Sequence, residues 1–131
     1  EYEFVPWKFT NGIEYTFPPS TSIPAGGYLI VAEDPAAFTA WYGALGVPVL
    51  GPFENDTNLS NGGERVTLSR PGDKEWQRDR YWIRMDRVAY ADDGPWPAGA
   101  DGTGLSLMKT TPSAYGDDPS AWTAATPTPG W

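Results

Sequence analysis

From Asp86 to Met108 the chain reads DRVAYADDGPWPAGADGTGLSLM, and this run constrains the possible fold more than any other stretch. Val88 and Tyr90 alternate with small or polar neighbours, as do Leu105 and Leu107, which is the period of strands that put one face in a core. Between them stand Asp92, Asp93 and Asp101, together with Trp96 held between Pro95 and Pro97. Proline fixes its own φ and drives the residue before it to extended backbone, so the Trp96 ring is expected to fold back over the end of the core. The two flanking strands are expected to pair with each other.

A chain of 131 residues is long enough for one two-layer core and too short for two, so residues 1–131 are read as a single domain. Fifteen glycines and fourteen prolines imply many turns, while seven tryptophans, seven tyrosines and five phenylalanines exclude a disordered low-complexity chain. Nine basic against seventeen acidic residues give a net charge of -8, which opposes direct contact with nucleic acid. No apolar run is long enough to insert in a membrane. There is no cysteine and no histidine. Disulfides, thiolate metal sites and serine or cysteine hydrolase triads are therefore excluded, and any metal site is an all-oxygen one.

Along the chain, Tyr2 to Phe9, broken by Pro6, reads as an edge strand or two short pieces. Asn11-Gly12 is a two-residue hairpin signal that joins it to Ile13, Tyr15 and Phe17. Tyr28 to Ala32 reads as a strand buried on both faces. Asp34 to Gly43 has a capping aspartate, a proline at the first helical position and a closing glycine, and predicts the single helix. Val47 to Leu50 is a short strand. In Arg65 to Ser69, Val66 and Leu68 are expected inward and Thr67 outward. Arg70 to Asp79 reads as a charged hairpin turning at Pro71-Gly72, and residues 109–131 as an extended tail pinned by Tyr115 and Trp122. Trp7, Trp41, Trp96 and Trp122 are assigned to the core or its rims.

Taken in order, YTFPPSTSIPAGGYLIV, DPAAFTAWYG, LGPF, LSNGGERVTL, DRVAYADDGPWP, ADGTGLSL and the closing TPTPGW resemble the lamin-tail domain family of bacterial type. The resemblance implies an all-β, immunoglobulin-like β-sandwich with one short helix. It also implies a non-catalytic interaction or structural module of a larger exported or surface bacterial protein, extracellular or on the cell surface. Members usually carry one or two further strands before the segment resembling Val5 to Phe9. A sandwich short of those strands exposes a sheet edge, which Tyr2 to Phe4 of this chain or of a second copy is expected to fill.

Two sites are weighed beside plain structural roles. Trp76, Tyr81 and Trp82 in the charged hairpin would form a sugar-binding platform, since flat rings stack on apolar sugar faces; otherwise they are ordinary strand formers. Asp92, Asp93 and Asp101, with Asp117 and Asp118 near them, would bind calcium through carboxylate oxygens; otherwise they are turn residues. Asp92 or Asp93 with Asp101 is also the carboxylate pair that acid-base glycoside hydrolysis would need, but no cleft or raised pKa is legible. The expectation is therefore not an enzyme. Its partner is a protein or a second copy at a sheet edge, or a glycan, with calcium as the possible cofactor.

Overall fold

The spine of the molecule is a long antiparallel hairpin, β5 (Gly63–Lys74) with β6 (Arg80–Ala91), in a computed structural model that describes residues 5–74 and 79–130. Two short strands, β1 (Lys8–Thr10) and β2 (Tyr15–Thr16), extend it into a four-stranded antiparallel sheet in the order β2-β1-β5-β6. Two strand pairs complete the architecture: a parallel pair, β3 (Ile30–Val31) with β4 (Val49–Leu50), and an antiparallel pair, β7 (Ser106–Lys109) with β8 (Trp122–Ala125). Together with the helix α1 (Pro35–Tyr42), they make a β-rich fold with one helix.

Cross-strand register decides which residues face inward. Phe9 lies opposite both Tyr15 and Leu68, and Val66 lies opposite Val88, so these side chains share one face of the sheet. Ile13 and Tyr15 are buried there, and the Tyr15 and Phe17 rings meet edge to face at 5.3 Å. The hairpin between β1 and β2 forms where Asn11-Gly12 predicts it, with φ of 59° and 71°. Its loop is nevertheless odd, centred on Gly12, and not the two-residue turn expected. A two-residue turn would set Phe9 opposite Glu14 and send Tyr15 to the solvent face; the extra residue keeps Phe9 and Tyr15 together.

Helix α1 follows its local signals. The Asp34 side chain accepts from the Ala37 N–H at 3.0 Å, Pro35 opens the first turn, and the Gly43 N–H closes on Thr39 O at 2.8 Å. None of its residues is buried, however, and the Phe38 and Tyr42 rings stack on each other at 4.7 Å. Trp41, expected in the core, is 82% exposed, and Trp7 also reaches solvent; helical spacing alone does not say which face meets the body. Trp96 does bury as expected, with its ring centroid 6.4 Å from that of Trp122.

Several other expectations change. The strands of Val88-Tyr90 and Leu105-Leu107 do not pair: β6 is taken by β5, and the chain crosses to let β7 pair with β8. β8 falls inside the segment read as a tail, and it forms there because β7 offers a free edge. Tyr28 is exposed and only Ala32 of its run is buried, since β3 is a two-residue strand with a single neighbour. Thr67 and Ser69 are buried although expected outward: β5 is a central strand with a neighbour on each side, and the Asn11 amide reaches Thr67 Oγ1 at 3.4 Å. Pro71-Gly72 is not the turn. Both residues lie inside β5, where the ladder slips between Pro71 and Lys74, a place that tolerates a residue without an N–H.

Candidate functional site

Two surfaces stand out: a cleft between the layers and the free side of β6. The cleft measures about 790 Å³ and is lined by Phe9, Val31, Phe53, Val66, Val88, Leu107 and Trp122, with Asn61, Asp92 and Asp101 among the polar residues around it. Among the described residues no side chain is wholly buried, so the inward faces of the sheet and of the strand pairs meet without sealing. Tyr90 stands on this wall and donates its phenol to Ser60 O at 2.6 Å. Burial, and secondarily the Glu64 charge, raise its pKa above the ordinary tyrosine value.

Of the aspartates considered for calcium, the cleft brings Asp92 and Asp101 to its lining, while Asp93 is exposed on the adjoining turn. Among the described residues no three acidic groups gather closely enough to hold a metal ion. Asp117 and Asp118 have other partners. Asp118 accepts from the hydroxyl and the N–H of Ser120, capping the turn that leads into β8, and these bonds lower its pKa.

Asp117 closes one half of the free side of β6. Its Oδ1 accepts from the Ala89 N–H at 2.8 Å, and its Oδ2 takes the Arg87 guanidinium at 2.8 and 3.2 Å. The Ala89 bond first and the Arg87 bond after it hold the Asp117 carboxyl below its ordinary pKa, and the Asp117 bond raises that of Arg87. The loop can come this close because Gly116 has no side chain: a Cβ there would stand 2.6 Å from Asp86 Oδ1 and 3.0 Å from Arg87 O. The Trp122 indole N–H donates to Gly116 O at 2.8 Å and ties the same loop to the layer of β7 and β8.

The other half of that side, from Arg80 to Met85, is where the sugar-platform residues fall. Trp76 lies outside the described residues. Tyr81 is 54% exposed, whereas Trp82 is half-buried and has the Lys8 ammonium 3.8 Å from its ring centroid, so a cation already occupies that face. Tyr81 and Trp82, as strand neighbours, point to opposite faces and do not form one platform. Sequence reasoning missed Ile83 and Met85, which are also exposed. Their signal was present as unbroken apolar spacing, Tyr81-x-Ile83-x-Met85, on a hairpin otherwise rich in charge. Met85 is the extra residue of a β-bulge, since Leu68 lies opposite Asp86 and Ser69 opposite Arg84.

No protein-family model, no curated protein and no solved structure matches this chain. Among the described residues, no helix is long and apolar enough to cross a membrane.

Proposed function

We propose that this chain is a non-catalytic interaction module, an immunoglobulin-like sandwich of lamin-tail type carried by a larger exported or surface bacterial protein, and that it works through protein contacts. The observation that supports this most is the row Tyr81, Ile83 and Met85, apolar and exposed along an edge strand. Soluble domains usually blunt such edges, and an apolar row left open on one is a surface for another chain. The four-stranded sheet facing two strand pairs across an apolar cleft supports the sandwich reading.

A carbohydrate-binding module is the second reading, favoured by the exposed ring of Tyr81, although Trp82 faces the other side of the sheet. One experiment separates them. The labelled chain is applied to protein and glycan arrays beside two variants, Tyr81→Ala/Ile83→Ala/Met85→Ala and Trp76→Ala/Tyr81→Ala/Trp82→Ala. Protein contacts abolished by the first variant, with an unchanged melting temperature, support the module reading. Retention on glycans that only the second variant abolishes overturns it in favour of sugar binding.

A further inference from the structure

We infer that the cleft between the layers binds a small amphipathic cation, an amine with an apolar body, whose body lies between the walls and whose ammonium meets the carboxylates of Asp92 and Asp101. The inference goes beyond the module reading and does not rest on it. The cleft uses the inner face of β6 through Val88 and Tyr90, and Tyr81, Ile83 and Met85 are not in its lining. Its volume of about 790 Å³ falls in the range of sites that hold small molecules, roughly 300–1,000 Å³. Two apolar side chains of the lining, Leu59 and Leu105, are 50% and 38% exposed, so the apolar wall runs out to solvent and offers a way in.

The charge of the lining chooses the occupant. Asp92 and Asp101 are its only charged residues, and neither a lysine nor an arginine lines it. Neither carboxylate has a hydrogen bond or an ion pair among the described residues, whereas Asp86 and Asp117 are each matched by a cation. Asp92 follows the last residue of β6, at the end of the hairpin where Gly63 lies opposite Ala91 and where Ser60 and Asn61 join the lining. A third carboxylate acts on that end: Glu64 accepts from the Ser60 N–H at 2.9 Å, and its charge bears on the Tyr90 phenol. Lys109, whose ammonium lies 5.8 Å from the Trp122 ring centroid, is held by Asp86 at 3.2 Å and is not free to neutralise the rim. An anion would meet like charge there, and a neutral body would leave both carboxylates unmatched. An ammonium on an apolar body puts each half of the ligand against its complement.

Phenylhexylamine, phenylhexanol and phenylhexanoate share one apolar body and differ in the charge of the head, which makes the claim directly readable. Calorimetric titration of the native chain at low salt should rank them amine, alcohol, carboxylate, with the amine about fivefold tighter than the alcohol, the ratio that an ion pair at a solvated rim gives. That advantage should shrink as salt is added. Asp92→Asn/Asp101→Asn should bring the amine down to the affinity of the alcohol and leave the alcohol unchanged. Asp73→Asn/Asp79→Asn removes two charges from the other end of the hairpin and should leave the advantage of the amine in place. Near-ultraviolet circular dichroism confirms that each variant is folded; should the first pair not fold, the single variants Asp92→Asn and Asp101→Asn decide, each losing part of the advantage. The inference is overturned by an amine no tighter than the alcohol, by an advantage that survives the loss of Asp92 and Asp101, by one that both pairs remove alike, or by no binding of any of the three. None of these outcomes touches the array contacts of the free side of β6, on which the module reading is judged separately.

Discussion

Asp117 joins three parts of the chain through one carboxylate: the Ala89 amide, the Arg87 guanidinium and the loop that leads to β8. Its folded pKa is depressed, so the stability it contributes is present above its unfolded value of about 4 and is lost as pH falls through the lower folded value. Replacing it by Asn removes the charge and should lower the melting temperature at neutral pH by about 4–8 °C, the shift that loss of one such polar contact gives in a small domain. The difference from the unmodified chain should vanish at a pH below the folded value, as a melting series in pH would show. The tryptophans divide just as sharply. Trp96→Ala should cost about 3–5 kcal/mol in urea unfolding because its ring is buried beside Trp122. Trp41→Ala should stay within about 0.5 kcal/mol because that ring is exposed. Nothing in the sequence distinguishes these two residues by type; only the prolines around Trp96 hinted that its backbone was held.

At the scale of elements, what could be read in advance was what is decided locally. Helix α1 was legible because its cap, its first proline and its closing glycine all act within a few residues of one another. Asp34→Ala should therefore cost about 1 kcal/mol in the same unfolding assay, and helix loss should remain local, since no residue of α1 is buried. The Asn11-Gly12 hairpin was legible in place but not in register, because register follows from which side chains must share a face with Phe9. Pairings were the least legible. β6 and β7 are neighbours in the chain, and neighbours in sequence usually pair, yet β5 takes one side of β6 and the Asp117 loop covers Arg87 and Ala89 on the other. β8 was missed because Trp122-Thr123-Ala124-Ala125 is short and carries little alternation; it is a strand because β7 lies beside it. Of the candidate site residues, Tyr81 lies at the surface, while the crossing of Lys8 over Trp82 depends on a contact between β1 and β6 that no local pattern announces.

For the whole molecule, the unsealed cleft sets the character of the core. Apolar walls surround about 790 Å³, room for a small apolar dye in the folded chain. Anilinonaphthalene sulfonate fluorescence should therefore rise with the native chain while near-ultraviolet dichroism is fully retained, and it should fall when urea unfolds the protein. Fluorescence that appears only after tertiary dichroism is lost would mean that the cleft closes in solution. The net charge of -8 sets a repulsion between such molecules at neutral pH. The Asp117 loop sets how much of the free side of β6 is open. The charged carboxylate acts as a stopper over the Arg87–Ala89 part of that strand. Because its pKa is depressed, the clasp outlasts mild acid: near pH 4.3, where the chain carries no net charge and molecules repel one another least, Asp117 is still mostly ionised and the guarded part of the margin stays shut.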